Sequence, residues 1–215
     1  MQPDSIYQLL NERIDVSRET FDRLKLYCDL LLKWQAKINL ISNDTIPDVW
    51  TRHFLDSLQL TQHISNREMT IVDMGSGAGF PALVLAICGY KNIHCIESDA
   101  KKIAFLQEVS RITKSPVTLH HGRIEAQALP VADMVCARAL ADLDRLLVYS
   151  EAFVSRETIC LFPKGKNYAN ELDNAKQHWS FEHVILPSIT DPEAVILKLS
   201  NIQKRASHDK NPIHR

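Results

Sequence analysis

The chain has 215 residues, 45% hydrophobic and 24% charged, which suits one large globular domain or a domain with an extension. Its formal net charge is −1, so no global basic field attracts nucleic acid, and any RNA contact has to come from a local patch. The longest apolar stretch, around Phe80 to Cys88, is too short to span a bilayer, and Met1-Gln2-Pro3-Asp4 does not open a leader, so a cytoplasmic protein without membrane contact is expected.

Residues 1–65 read as a helical N-terminal extension packed on a larger α/β unit. Ile6, Leu9, Leu10 and Ile14 fall at helical spacing. Ser17 is a candidate N-cap for a longer helix with apolar positions at Phe21, Leu24, Tyr27, Leu30, Leu31, Trp34 and Ile38. After the break at Asn39–Asp44, Thr45-x-x-Asp48 has the form of a capping box with Pro47 in the first turn. The helix it would start carries Val49, Trp50, Phe54, Leu55 and Leu58 as core positions. On its polar side, Arg52, His53 and Asp56 share a face, grouping a cation, an imidazole and a carboxylate. That face reads equally well as a solvated surface or as part of a site. His53 and Asp56 supply too few ligands for a metal.

From Thr70 strands and helices alternate, which predicts a mostly parallel sheet with helices on both faces over residues 66–200. Strands are expected at 70–74, 93–97, 117–120, 132–137, 158–162, 182–186 and 194–199, seven in all. Helices are expected near 80–89, 100–113, 142–154 and 167–178. The last two strands, separated only by Pro187 to Glu193, should form an antiparallel hairpin at the sheet edge.

The first strand ends in Asp73-Met74-Gly75-Ser76-Gly77-Ala78-Gly79-Phe80-Pro81 and leads into a helix-prone run. A dinucleotide fingerprint needs glycine at the sixth position from Gly75, and Phe80 stands there. G-x-G-x-G preceded by an acid is instead the arrangement of S-adenosylmethionine (SAM) methyltransferases, whose ligand carries a cation and no phosphate. The second strand ends at Glu97, 22 residues after Gly75, where a carboxylate can accept from both ribose hydroxyls.

Ligands in such sheets bind beyond the carboxyl ends of the strands. The loops there hold His121-Gly122-Arg123-Ile124-Glu125, Ala137-Arg138-Ala139 and Pro163-Lys164-Gly165. Ile124 and Glu125 are candidates to frame an adenine. Arg138 and Lys164 are expected to set positive charge at the mouth of the cleft. Arg123 and Lys164 are open to a second reading as plain surface residues. Five scattered cysteines, odd in number and without C-x-x-C spacing, argue for reduced thiols and against a zinc site. Residues 201–215 read as a polar, disordered tail.

Taken together, Asn39-Leu40, Arg52-His53-x-x-Asp56-Ser57-Leu58, Asp73-x-Gly75-Ser76-Gly77-x-Gly79-Phe80-Pro81, Arg123-x-Glu125, Arg138-Ala139 and Lys164-Gly165 resemble the bacterial glucose-inhibited division protein B family over roughly residues 20–200. The resemblance implies a Rossmann-like SAM-dependent methyltransferase fold and activity on guanine N7 of 16S ribosomal RNA, free or in the small subunit, by a monomer without a metal. It implies SAM bound through Asp73, Gly75, Gly77, Gly79, Phe80, Ile124, Glu125 and Arg138, with Glu97 on the ribose. Arg138, His53 and Asp56 would position the reaction, and Arg52, Arg123 and Lys164 would meet RNA. Two positions depart from the family pattern, Ala82 for glycine and Ala137 for serine, both small for small. A SAM-dependent enzyme acting on a non-RNA substrate, and a non-catalytic RNA-binding assembly factor, are the rival readings. Guanine N7 carries a lone pair and no proton, so the reaction needs alignment rather than a general base.

Overall fold

The computed structural model describes residues 3–205. Among them seven strands form one sheet in the order β3-β2-β1-β4-β5-β7-β6. β1 (Thr70–Met74), β2 (Asn92–Glu97), β3 (Thr118–His121), β4 (Met134–Cys136) and β5 (Ile159–Lys164) pair in parallel. β6 (Trp179–Pro187) and β7 (Val195–Lys204) are antiparallel, with β7 paired to β5 and β6 at the edge.

Alternate residues of each strand point to opposite faces, and the division of the core into two clusters follows that period. Ile71, Ile93, Cys95, Met134, Cys136 and Leu161 join one hydrophobic cluster. Packed there are α1 (Pro3–Arg13), α2 (Arg18–Gln35), α4 (Ala82–Ile87) and α5 (Ala100–Thr113). Val72, Met74, Ile96, Val135, Cys160 and Phe162 join the other cluster, under α6 (Leu143–Ser150) and α7 (Tyr168–His178). Phe21, Leu24, Tyr27 and Leu31 of α2 sit in the same core as Leu83, Ile87 and Phe105, so the N-terminal helices share a core with the sheet. α2 begins as its sequence indicates, with the Ser17 side chain accepting from the Thr20 N–H.

Several local expectations are corrected. Thr45-x-x-Asp48 forms no capping box: Asn43–Thr45 is a 3-10 turn, and the Thr45 hydroxyl donates to the Ser42 carbonyl at 2.7 Å. The next helix is π-wound over Trp50–Leu55 before becoming α-helical at α3 (Asp56–Leu58). Such wider turns recur at functional sites. The helix expected at 142–154 stops at Ser150, and β4 spans only Met134–Cys136 because the Ala132 N–H pairs with the Phe153 carbonyl instead of extending the ladder. The chain expected to be a tail from Asn201 continues β7 to Lys204, where pairing to β6 supplies the order that its polar composition hid. Residues 206–215 of that tail lie outside the described residues.

Candidate active site

A cleft of about 840 Å³ opens at the carboxyl ends of β1, β2, β4 and β5, within the size range of ligand sites. Its floor is the turn after β1. Gly77 has φ +57°, and the space a Cβ would occupy is open, with the Gly75 carbonyl 3.7 Å away as the nearest protein atom. The backbone conformation therefore favours glycine, and the open side is left for a ligand. Gly79, at φ +92°, is glycine for packing: a Cβ would lie 2.5 Å from Leu83 and 2.8 Å from the Tyr27 hydroxyl. Leu140 covers Gly75 at 2.7 Å from the position of a Cβ.

Glu97 closes the turn from the end of β2. It is 8% exposed, and its two oxygens each accept one backbone N–H, from Gly77 and from Asp99, both at 2.8 Å. Each oxygen keeps lone-pair capacity, and the side chain lines the cleft beside Ile96 and Ser98. Ile124, buried, and Glu125, exposed, stand on the same wall, where Glu125 lies 3.7 Å from Arg145.

The sequence pattern puts Asp73 and Gly79 among the ligand contacts, and neither is on the cleft wall. Asp73 is fully buried behind the turn. One carboxylate oxygen lies 3.5 Å from the Cys136 thiol, and the other has no hydrogen-bond partner among the described residues. Burial pushes its pKa up to about 7, against weaker pulls downward from Ser76, Cys136 and Arg138. It underlies the glycine turn, whose Ser76 hydroxyl donates to the Asp73 backbone carbonyl at 3.2 Å.

The N-terminal helices supply the next wall. Phe80 is sandwiched there: Tyr27 stacks on it at 5.2 Å between centroids, Phe54 meets it edge-on and His53 packs at 5.1 Å. The Arg138 guanidinium lies 5.0 Å above the same ring. Its Nη1 donates to the Arg52 carbonyl at 2.9 Å and contacts Asp56 Oδ2 at 3.4 Å, and its Nη2 donates to His53 Nδ1 at 2.7 Å. Since His53 Nδ1 accepts, Nε2 carries the proton and donates to the Thr45 hydroxyl at 2.7 Å. Burial and the two arginines beside it lower the His53 pKa to about 3, so the ring is neutral at physiological pH.

The expected Arg52-His53-Asp56 grouping is only partly kept. His53 and Asp56 converge on Arg138, while the Arg52 side chain turns outward to Asp191 at 3.3 Å. Arg123 is exposed at the rim. The expectation of open positive charge at the mouth is corrected for both Arg138 and Lys164. Their side chains are 17% and 7% exposed and are tied to Asp56 and Glu171 respectively.

Several residues on these walls carry no mark in the sequence pattern. The Tyr27 hydroxyl donates to the Ala78 carbonyl inside the glycine turn, whereas its helical spacing indicates only a core position. Gln59 donates to Asp56 Oδ1 at 2.9 Å and accepts from the Ile189 N–H at 2.9 Å, and the Thr190 hydroxyl donates to Asp56 Oδ1 at 2.9 Å. Ser188–Asp191 thus straps the β6–β7 loop to Asp56 of α3 and to Gln59 just beyond it, contacts over about 130 residues that have no local signal. Among the described residues no group of three or more His, Cys, Asp or Glu is placed to hold a metal.

The family model for rRNA small subunit methyltransferase G matches residues 20–198. The ribosomal RNA small subunit methyltransferase G of Paramagnetospirillum magneticum is 49% identical over 189 residues, covering 88% of this chain and 92% of its own. That of Rhodospirillum centenum is 50% identical over 190 residues, covering 88% of each. Solved structures share the fold at low identity. The ribosomal protein L11 methylase of Lactobacillus delbrueckii subsp. bulgaricus aligns at a TM-score of 0.58 with 14% identity, over 70% of this chain and 78% of its own. M. jannaschii TYW2 in complex with AdoMet aligns at 0.54 with 18% identity over 80% of each. The chain belongs to the rRNA small subunit methyltransferase G family.

Proposed function

We propose that this protein transfers a methyl group from SAM to N7 of a guanine in 16S ribosomal RNA of the small subunit. The observation that carries the reading is Glu97, fixed against the Gly77 N–H at 2.8 Å on the wall of a cleft whose glycine turn leaves its open side unfilled. The residues present fit the cofactor. Glu97 has acceptor capacity left for the two ribose hydroxyls, Ile124 offers an apolar contact for an adenine, and Glu125 a polar one. When ionised, the buried Asp73 places negative potential behind the turn, and a cationic ligand in front of it favours that form. When bound, SAM supplies an electrophilic methyl group on a sulfonium.

The chain's own residues then have to align and hold. N7 of guanine has an available lone pair and no proton, and His53 is arranged accordingly: with Nδ1 accepting from Arg138 and Nε2 donating to Thr45, it orients Arg138 and does not take a proton. Asp56, braced by Gln59 and Thr190, fixes the same guanidinium from its other side. Methylation leaves the base cationic, so Arg138 serves better by positioning the nucleotide than by stabilising the product ring. Arg52 and Arg123, exposed at the rim, are placed for phosphates.

The test is transfer from labelled SAM to small ribosomal subunits of a strain lacking the gene, with mass mapping of the product. A single N7-methylguanine in 16S RNA is expected, with loss of transfer in Glu97→Ala and Arg138→Ala proteins. SAM binding without transfer to subunits or to RNA would reject the ribosomal substrate.

A further inference from the structure

The wall formed by β5 and α7 carries a second, partly buried ion pair, which makes no hydrogen bond to Arg138 or to the glycine turn. The Lys164 side chain is 7% exposed, and its Nζ donates to Glu171 Oε2 and to the Ala141 carbonyl, both at 2.7 Å. Glu171 Oε2 also accepts from the Leu143 N–H at 2.8 Å. Glu171 Oε1 has no hydrogen-bond partner among the described residues and is not sealed from solvent. The Glu171 side chain remains 23% exposed and lines the same cleft as Gly75, Glu97 and Arg138.

Burying two charges costs desolvation energy that their mutual attraction repays only in part, so such a pair is weak evidence for stability alone. Its placement on a cleft wall directs attention to what it presents: one carboxylate oxygen, oriented by the two donors on the other. A guanine whose N7 reacts must be gripped through groups that leave N7 bare. A base taken out of its stack is read on its Watson–Crick edge, where guanine offers N1–H and the exocyclic amine. Those two donors match a carboxylate oxygen with lone pairs to spare, whereas adenine would set its N1 lone pair against it.

We propose that Glu171 recognises the target guanine by accepting from its N1–H and amine, with Lys164 fixing the carboxylate for that purpose. This rests on the guanine-N7 reading. As N7 acquires its methyl group the ring becomes cationic and N1–H more acidic, so the contact with Glu171 strengthens toward the transition state. An interaction that strengthens in this way raises the rate as well as the selectivity. Lys164 keeps its position beside the Arg138–Ala141 loop, and through Ala141 ties guanine recognition to the loop whose Leu140 covers Gly75.

The experiment compares small subunits reconstituted with guanosine or with inosine at the modified position. Inosine keeps N7, O6 and N1–H and lacks the amine. The wild-type protein is expected to methylate inosine subunits about 10-fold or more slowly, the discrimination of a good base contact. Glu171→Gln is expected to be slower on guanosine subunits by about 10–100-fold, with SAM affinity by calorimetry unchanged and little further loss on inosine. Equal inosine penalties in the two proteins, or an undiminished Glu171→Gln rate on guanosine subunits, would overturn the proposal. Should Glu171→Gln fail to bind SAM, Glu171→Asp retains the charge beside Lys164 and is read the same way: a reduced inosine penalty supports the proposal and an unchanged one overturns it. Absence of N7-methylguanine from wild-type protein on guanosine subunits rejects the underlying function instead, and so separates the two failures.

Discussion

The two sides of the cleft are built differently. On the N-terminal side the polar groups are mostly paired with one another: both His53 nitrogens are engaged, Asp56 Oδ1 takes two donors, and Arg138 is held by three partners over an aromatic stack. On the side of the 139–141 loop, β5 and α7, the groups are left open. Leu140 is 36% exposed, Ala139 sits at φ +53°, and Glu171 has a carboxylate oxygen without a partner among the described residues. A wall already paired loses little conformational freedom when substrate arrives and can act as a fixed reference, whereas an open wall has more capacity left to receive the base. In this molecule the reference comes from the helices that precede the sheet.

The largest effect expected from breaking that contrast is Arg138→Ala. It leaves Asp56 half-buried without its cation and uncovers Phe80, which should cost about 3–5 kcal/mol of stability in chemical denaturation. A loss below about 1 kcal/mol, the scale of an exposed pair, would show that the N-terminal wall is not fixed through this residue. Glu97→Ala orphans the Gly77 and Asp99 amides and removes the proposed ribose acceptor. SAM affinity by calorimetry should fall about 10–100-fold, consistent with losing charged hydrogen bonds. Unaltered affinity would place the ribose elsewhere.

Tyr27→Phe keeps the aromatic stack and removes only the bond to the Ala78 carbonyl. Its expected cost is about 1 kcal/mol, seen as a lower denaturation midpoint, with SAM affinity more affected than RNA affinity. No change in either would mean that the N-terminal helix does not hold the glycine turn. pH sharpens the comparison further, because two buried groups have opposite signs. The Asp73 pKa is raised to about 7 in the fold, so its contribution is present below the unfolded value near 3.8 and is lost as pH rises through about 7. Asp73→Asn should therefore gain stability relative to the wild type as pH goes from about 5 to 8. His53 is depressed to about 3, so its contribution is present above its unfolded value near 6.5 and is lost as pH falls toward 3. Thermal melts of apo wild type, Asp73→Asn and His53→Gln across that range give the slopes, and parallel curves would contradict both assignments. The smallest effect belongs to Arg52→Ala, whose exposed pair with Asp191 is worth about 1 kcal/mol or less. Its expected signature is weaker and less salt-dependent binding to small subunits, without a change in fold stability.

Much of this protein is determined locally and is legible as such. The alternation of apolar runs with helical periodicity, the Ser17 cap, the Gly75-x-Gly77 turn and the acid closing β2 each depend on residues within a few positions of one another. The parallel sheet and the place of Glu97 on the cleft therefore follow from the chain order. The tertiary structure decided what depends on partners distant in sequence. It withdrew Asp73 behind the turn, where burial rather than a ligand governs its charge, and turned Arg138 and Lys164 from open cations into ion-paired partners of Asp56 and Glu171. It also wound Trp50–Leu55 as a π-segment in place of the capped helix that Thr45 and Asp48 suggest, leaving Thr45 to hold His53. A side chain's type and spacing fix which element it joins, but its ionic partner and its exposure are set only when elements as far apart as residues 53 and 138 pack together.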